Sequence, residues 1–159
     1  MSSPPLYRTA VLPDWIDYNG HLRDAYYVLV VSSAIDALMD QLGLDAAYRA
    51  RTRCTLYTLE LHIHYLHEVL HSDVLEVGAR ILAADAKRLH VGLDLSIARY
   101  PDPAATADCM LLHVQQGERP ASAPFPPEVV AAIAALRAAA GPAPWAGPGS
   151  RPLALPPGR

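Results

Sequence analysis

An aspartate, a glycine and a histidine, Asp17, Gly20 and His21, stand close together just before a long apolar stretch of the chain. If that stretch is a helix, its first turn presents backbone N–H groups without intrahelical partners and carries a partial positive charge. Such a helix end can stabilise the oxyanion that develops when a carbonyl is attacked. A carboxylate beside it can attack the carbonyl or activate a water molecule. The segment therefore contains the parts that acyl transfer requires, and these three residues are the candidate catalytic residues.

Residues around this segment are candidates for contact with a substrate. Asn19 and Gly20 form a turn-prone pair, and Asp24 is placed to cap the apolar stretch. The alternative is structural, because an aspartate in a turn is more often a cap and aromatic residues near a helix usually belong to a core. The candidate substrate-binding residues are Trp15, Asn19, Asp24, Tyr26, Tyr27 and Glu60.

The composition of the 159-residue chain is that of an ordinary globular domain, with 52% hydrophobic and 18% charged residues. The formal net charge of -3 provides no basic excess for a phosphate backbone, so we expect no nucleic-acid partner. The longest apolar run is too short to span a bilayer and no signal peptide is evident, so we expect no membrane association and a cytoplasmic location. The two cysteines, Cys54 and Cys109, predict reduced thiols and no disulfide framework.

The elements that must position these residues begin with a strand, predicted over residues 5–13. The pattern from Asp24 to Leu42 predicts a helix, with Asp24 as its N-cap and Gly43 just beyond its C-terminus. Residues 25–31 are all apolar or tyrosine, so the first two turns have no polar side to present to solvent. This pattern is typical of a buried helix.

The segments after the helix alternate apolar and polar residues with a period of two, as strands do. Four such strands are predicted, over residues 54–69, 73–84, 88–100 and 105–116. A second helix is predicted from Pro127 to about Ala140. We therefore divide the chain into one domain over residues 1–140 and an irregular tail, rich in Pro and Gly, over residues 141–159.

The order of these elements predicts the architecture. Consecutive strands with short turns form an antiparallel sheet, and the buried helix must be wrapped by it. Such a sheet covers only one side of the helix, so a second copy of the molecule is a natural cover for the other. The predicted fold class is α+β, with an antiparallel β-sheet wrapped around a long central α-helix, in at least a homodimer.

The motif Asp17-x-x-Gly20-His21, followed by a tyrosine-containing buried helix, resembles the signature of the 4-hydroxybenzoyl-CoA thioesterase-type hotdog family. The resemblance covers residues 5–117 and agrees with the predicted strand order. It implies a hotdog fold and hydrolysis of an acyl-CoA thioester by dimers or tetramers, without a metal or cofactor. It also implies that Asp17 is the catalytic base or nucleophile.

The same resemblance places the amide that polarises the substrate carbonyl near Asp24 and Ala25. Many relatives have two asparagines after the Gly-His-Val step, where this chain has Arg23 and Asp24, so no role of those asparagines is carried over. Arg23 is either a contact for a CoA phosphate or a surface residue.

A narrower resemblance, to the betainyl-CoA thioesterases of carnitine breakdown, is carried by residues 57–63, 87–90, 105–106 and 110–114. It implies an acyl group with a quaternary ammonium, which aromatic ring faces can bind. The available rings belong to Trp15, Tyr18, Tyr26, Tyr27, Tyr57 and Tyr65.

Other residues have both a functional and a structural interpretation. Glu60, on the polar face of its strand, is either a second active-site carboxylate or a solvated or interface residue. Lys87 and Arg88, at a strand turn, are predicted to contact CoA phosphates, with a solvated turn as the alternative. His62 and His64 share a strand face, but zinc needs three or four converging ligands, so we expect no metal site.

Two other functions are compatible with this fold. An acyl-CoA hydratase or dehydratase would use an Asp and His pair near the helix start, which Asp17 and His21 provide. A non-catalytic module that binds an acyl ligand would bind without turnover.

Overall fold

The computed structural model describes residues 5–140. The helix predicted from Asp24 to Leu42 is helix α1, Asp24–Gln41. Its first residue is Asp24, so the prediction of Asp24 as N-cap is off by one position: Arg23, with extended backbone, occupies the cap and makes no side-chain cap bond. Gly43 follows the helix with a φ of 77°, as predicted, because glycine adopts this left-handed conformation at little cost.

One side of α1 packs on the sheet and the other is open. Tyr27, Val30 and Val31 are buried, whereas Val28 is 44% and Leu29 46% exposed. The predicted burial of the first two turns on every side is therefore wrong for the single chain, because the sheet reaches only one side. Within these two turns the exposed side is nevertheless apolar, since it consists of Ala25, Val28 and Leu29.

Six strands form one antiparallel sheet around α1. They are β1 (Tyr7–Ala10), β2 (Cys54–Tyr65), β3 (Val74–Ala84), β4 (Arg88–Ser96), β5 (Ala105–Gln115) and β6 (Ala121–Ser122). The order across the sheet is β1-β3-β4-β5-β2, and the two-residue β6 pairs with β5. This confirms the predicted antiparallel sheet, and β2 forms one of its edges.

The face of the sheet towards α1 is the apolar face that the period of two predicts. Leu75 and Val77 on β3 and Leu89, Leu93 and Leu95 on β4 are all 0% exposed. They belong to the same buried cluster as the inner side of α1. Burial of these side chains provides the main driving force for wrapping the helix.

A β-bulge in β2 overturns part of the predicted face assignment. Thr58 pairs with Leu111 and Glu60 with Met110, so Leu59 is the extra residue. Alternation restarts at the bulge, and Tyr57 therefore lies on the opposite face from Leu61, contrary to the prediction that all odd positions of this strand share one side.

The remaining differences concern boundaries and one short helix. The first strand ends at Ala10, and Pro13–Trp15 forms a 3-10 turn. A seven-residue helix that was not predicted, α2 (Ala46–Thr52), begins at Asp45, whose carboxylate accepts a hydrogen bond from the N–H of Tyr48. The last helix, α3 (Pro127–Ala140), confirms the prediction.

The predicted tail over residues 141–159 lies outside the described residues. Within residues 5–140, no single helix has the length and hydropathy of a membrane span; only α1 and α2 together do, and they meet at a 74° bend.

Candidate active site

The candidate catalytic residues lie in a tight loop between the 3-10 turn and α1. Ile16 and Leu22 form an isolated antiparallel bridge that closes the loop. The N–H of Asp17 donates to the carbonyl of His21 at 2.8 Å, and the N–H of Gly20 donates to the carbonyl of Asp17 at 3.0 Å. Gly20 has a φ of 82°, which allows the chain to reverse here. The position of Asp17 is thus set by backbone hydrogen bonds within the loop.

The carboxylate of Asp17 is held by the same loop. Its Oδ1 accepts hydrogen bonds from the N–H groups of Asn19 at 2.8 Å and His21 at 3.2 Å, and its Oδ2 accepts a longer one, 3.4 Å, from the Asn19 side chain. Desolvation raises the pKa of Asp17, but the hydrogen bonds from His21 and Asn19 outweigh it and hold the pKa below its ordinary value. Asp17 is therefore ionised at neutral pH, with Oδ2 the less engaged oxygen.

The start of α1 supplies an amide beside this carboxylate. The N–H of Arg23 donates to the Trp15 carbonyl at 2.9 Å, and the N–H of Ala25 donates to the Asp24 side chain at 2.8 Å. The N–H of Asp24 has no acceptor among residues 5–140. Of the two amides predicted to bind an oxyanion, Asp24 is therefore the available one and Ala25 is engaged.

Asp17 and Asp24 border one open cavity of about 670 Å³. Three carboxylates, those of Asp17, Asp24 and Glu68, line it together with a single guanidinium, that of Arg23, so the lining has an excess of negative charge when its histidines are neutral. The full lining is Asp17, Tyr18, His21, Leu22, Arg23, Asp24, Tyr27, Tyr65, Leu66, His67 and Glu68.

The wall opposite the Asp17 loop is residues 65–68, where β2 ends. Arg99 fixes the chain that follows, because its Nε donates to Asp73 Oδ1 at 2.9 Å and its Nη2 donates to Asp73 Oδ2 at 2.7 Å and to the Glu68 carbonyl at 2.9 Å. The hydrogen bond from Arg99 is the main cause that holds the pKa of Asp73 below its ordinary value, so the buried Asp73 stays charged. The wall is thereby anchored to the sheet.

Two tyrosines meet in the cavity. The rings of Tyr27, on α1, and Tyr65, on β2, lie nearly perpendicular, at 82° with centroids 5.0 Å apart. Burial, followed by electrostatic interactions with Tyr65, Asp73 and Glu68, raises the pKa of Tyr27 to about 12. Burial and then the charge of Asp24 raise the pKa of Tyr65 as well. Both phenols are therefore neutral at physiological pH.

The other predicted substrate-binding residues of this segment, Asn19, Trp15 and Tyr26, do not line the cavity. Asn19 belongs to the turn that holds Asp17. Trp15 stacks on Tyr26, with centroids 5.2 Å apart and an angle of 16°, and both pack against the core. Neither ring is part of the cavity lining.

Glu60 lies on the other face of the sheet. Leu61 pairs with the buried Cys109 on the side towards α1, so Glu60 points away from it, and its carboxylate pairs with His62 at 2.9 Å. The structure does not bring Glu60 to the Asp17 cavity.

Lys87 and Arg88 lie at the turn between β3 and β4, at the opposite end of β3 from the cavity wall. The guanidinium of Arg88 pairs with Asp85 at 2.6 Å, and Lys87 Nζ donates to Ser122 Oγ at 3.1 Å. Their contact with CoA phosphates stays a prediction.

Four cavity residues were not among the predicted site residues: Leu22, Leu66, His67 and Glu68. His67 stacks on Tyr100 with centroids 4.1 Å apart, and the Tyr100 hydroxyl donates to the Glu68 carboxylate at 3.0 Å. The sequence gives one indication of these residues: the polar pair His67 and Glu68 follows directly after the alternating pattern of β2 ends. That signal shows a strand end, and it does not show what the strand end faces.

No three His, Cys, Asp or Glu side chains in the described part of the chain form a metal-ligand group. His62 pairs with Glu60, as above, and His90 pairs with the buried Asp108 of the neighbouring strand. Residues 5–140 therefore offer no ready donor set for a metal ion.

Comparisons with known proteins agree with this geometry. A family model described as the thioesterase-like superfamily matches residues 11–133. Over 130 residues the chain is 48% identical to a betainyl-CoA thioesterase of Pseudomonas aeruginosa, covering 82% of this chain and 81% of the relative. It is also 38% identical over 152 residues to an L-carnitine dehydrogenase/betainyl-CoA thioesterase of Agrobacterium fabrum, covering 94% of this chain and 31% of that longer relative.

A solved structure shows the same fold. A Staphylococcus aureus protein in complex with CoA has a TM-score of 0.88 and 28% sequence identity to this chain, with 98% of this chain and 99% of the other covered. The family model spans most of the chain, and an antiparallel sheet wraps one long helix as predicted. The chain therefore belongs to the thioesterase-like superfamily and has the hotdog fold.

Proposed function

We propose that this protein is an acyl-CoA thioesterase, which uses water to convert an acyl-CoA into the free acid and the CoA thiol. The observation that carries the proposal is the arrangement of an ionised carboxylate, Asp17, and an unengaged helix-start amide, that of Asp24, on one cavity. These are the two groups that acyl transfer requires. Membership of the thioesterase-like superfamily supports the same reaction.

In the proposed reaction the thioester oxygen accepts a hydrogen bond from the Asp24 N–H. This N–H and the positive end of α1 stabilise the negative charge that develops on the oxygen. Asp17 Oδ2 then acts by one of two routes. As a base, it takes a proton from water while the water oxygen bonds to the carbonyl carbon; the tetrahedral intermediate then breaks its C–S bond, and the CoA thiolate that leaves takes up the proton. As a nucleophile, it bonds to that carbon and expels the CoA thiolate, and water hydrolyses the mixed anhydride.

As the substrate we propose betainyl-CoA, whose acyl group carries a quaternary ammonium. The support is the betainyl-CoA thioesterase of Pseudomonas aeruginosa, which is 48% identical to this chain. The dehydrogenase activity named for the Agrobacterium fabrum relative is not carried over, because this chain spans only 31% of that protein.

The test is the release of free thiol from a panel of acyl-CoAs that includes betainyl-CoA. Asp17→Asn is the informative variant, because its amide oxygen can still accept the backbone hydrogen bonds of the loop while the charge is lost. We expect kcat/KM to fall by about a hundredfold or more. The matched control is Asp14→Asn, an exposed aspartate in the same segment that does not line the cavity, and it should retain wild-type rates. Equal release by Asp17→Asn and wild type, or no release from any thioester, would contradict the proposal.

We further propose that the protein acts as a homodimer or larger homo-oligomer through the edge strand β2. Beyond β2 the described residues provide no further strand, so its outer backbone groups are free to pair. Apolar side chains are exposed along it, with Tyr57 at 38%, Leu59 at 56% and Tyr65 at 53%. Because Tyr65 also lines the cavity, a partner paired at β2 would lie beside the active site.

Sedimentation equilibrium of Leu59→Glu tests the assembly, since a charge on this edge disfavours strand pairing. We expect the wild type to be a dimer or tetramer and Leu59→Glu to shift towards monomer. The matched control is Val130→Glu, which places the same charge at a residue of α3 that is 50% exposed, and its mass should be that of the wild type. A monomeric wild type would contradict the proposed assembly.

We place this activity in the cytoplasm. The support is that Cys54 and Cys109 are buried and unpaired, as is usual in a reducing compartment. The proposed reaction consumes only the thioester and water, so it requires no cofactor.

A further inference from the structure

The cavity around Asp17 has the chemistry of a receptor for a fixed cation. A quaternary ammonium has no N–H group, so a protein cannot recognise it by accepting hydrogen bonds. Proteins bind such groups with aromatic ring surfaces and with nearby negative charge. Both features lie in this cavity, between the end of β2 and the first turn of α1.

The aromatic part is the perpendicular pair of Tyr65 and Tyr27. Tyr65 is 53% exposed, so its ring is accessible to a ligand, whereas Tyr27 is 4% exposed and holds Tyr65 from behind. Because both phenols stay neutral, their rings do not depend on pH in the physiological range. The pair therefore forms a fixed corner in the cavity wall.

The charged part is a carboxylate on either side of this corner. Asp24 lies one helical turn before Tyr27, on the same side of α1. Its charge contributes to the raised pKa of Tyr65. Glu68 follows Tyr65 by three residues, and its charge acts on Tyr27. Arg23 is the opposing guanidinium in the cavity lining, and Arg99, near Glu68, is already paired with Asp73.

The geometry of a betainyl thioester also requires the cation site to border the catalytic groups. One methylene separates the quaternary nitrogen from the carbonyl carbon, so the two must be bound side by side. Asp24 meets this requirement, because its backbone N–H is the available oxyanion donor and its carboxylate lies next to the aromatic corner.

We infer that Tyr65 and Asp24, with Tyr27 and Glu68 behind them, bind the quaternary ammonium of the acyl group and make the enzyme selective for cationic acyl-CoAs. This inference rests on the thioesterase function proposed above and assigns its substrate preference to named residues.

The test compares betainyl-CoA with tert-butylacetyl-CoA, in which carbon replaces the charged nitrogen and the shape is kept. The quantity measured is the ratio of kcat/KM for the two substrates, from release of free thiol. We expect the wild type to favour betainyl-CoA by roughly tenfold or more, the scale of a desolvated cation–π contact reinforced by charge.

Three variants test which side chains cause the preference for betainyl-CoA. Asp24→Asn and Tyr65→Leu should each lower the ratio at least threefold, because turnover of betainyl-CoA falls more than turnover of tert-butylacetyl-CoA. Tyr65→Phe, which keeps the ring, should retain the ratio. The matched control for Asp24→Asn is Asp36→Asn, an exposed aspartate three turns further along α1, which should leave the ratio unchanged.

The outcomes separate this inference from the proposed function. Thiol release from both substrates at equal rates, or a ratio that Asp24→Asn and Tyr65→Leu leave unchanged, overturns the receptor and leaves the thioesterase standing. Absence of thiol release from every acyl-CoA overturns the thioesterase instead. In that case calorimetric titration of the wild type with the two acyl-CoAs tests the receptor directly, and equal affinities would overturn it.

Discussion

Replacing Gly20 by alanine tests whether the turn around Asp17 matters for catalysis beyond its effect on stability. Gly20 has a φ of 82°, and a Cβ built on it would meet no atom within 4 Å. The substitution therefore introduces no clash, and its only direct cost is the left-handed backbone of an L-residue, about 1–2 kcal/mol. The loop can relieve this strain by leaving the turn, and Asp17 would then lose the N–H donors of Asn19 and His21.

The expected loss of activity follows from that energy. A cost of about 1–2 kcal/mol changes the ratio of two loop conformations by roughly 5- to 30-fold. We therefore expect kcat/KM for thiol release to fall by up to this factor in Gly20→Ala, and no further. Because the loop rearranges in part, the free energy of unfolding in urea should fall by less than this cost of about 1–2 kcal/mol.

Gly43 provides a matched control at the other end of α1. It has a φ of 77° and also no atom within 4 Å of a built Cβ, so Gly43→Ala carries the same backbone strain away from the cavity. Gly43→Ala should lose stability and keep its kcat/KM. Equal losses of activity in the two variants, or full activity in Gly20→Ala, would refute the argument that the Gly20 turn positions the catalytic carboxylate.

Two further predictions concern pH and stability. Hydrogen bonds hold the pKa of Asp17 below its ordinary value. Titration of Asp17 should therefore leave kcat/KM unchanged between pH about 8 and about 5, and should lower it only as the pH drops through the lowered pKa. A decrease of kcat/KM near pH about 6 that persists in His21→Gln would contradict this. The buried His113 has Nδ1 2.9 Å from the Ala123 carbonyl, so Nδ1 donates, and in the neutral imidazole Nε2 then accepts from the Tyr48 hydroxyl at 3.0 Å. Tyr48→Phe leaves that nitrogen without its donor and should lower the free energy of unfolding in urea by about 1–3 kcal/mol, whereas an unchanged midpoint would refute the pairing.

Features that depend on neighbours along the chain could be predicted well. The extent of α1 and its stop at Gly43 follow from apolar spacing and from a residue that tolerates positive φ. The apolar faces of β3 and β4 follow from a strict period of two, because successive side chains of a strand point to opposite faces. The Asp17 loop could likewise be located, since its hydrogen bonds join residues at most four apart.

Features that depend on pairing between distant segments could not be predicted. The bulge at Leu59 arises from the pairing of β2 with β5, and it reverses which face Tyr57 occupies although the alternation in the sequence is unbroken. By contrast, the polar face predicted for Glu60 is confirmed, because Glu60 lies on the face away from α1, beside His62.

The sequence by itself determined that a carboxylate, a turn and a helix start would stand together, because these groups are neighbours along the backbone. Only the tertiary structure decided what faces them. The N–H of Leu22 donates to the carbonyl of Val69 at 2.7 Å, which joins the Asp17 loop to the chain that follows β2. That contact and the isolated antiparallel bridge between His21 and Leu70, with the chain anchored by Arg99 and Asp73, bring Tyr65 and Glu68 into the cavity. Such a contact is selected by the packing of the whole sheet around α1, and local sequence patterns carry no record of it.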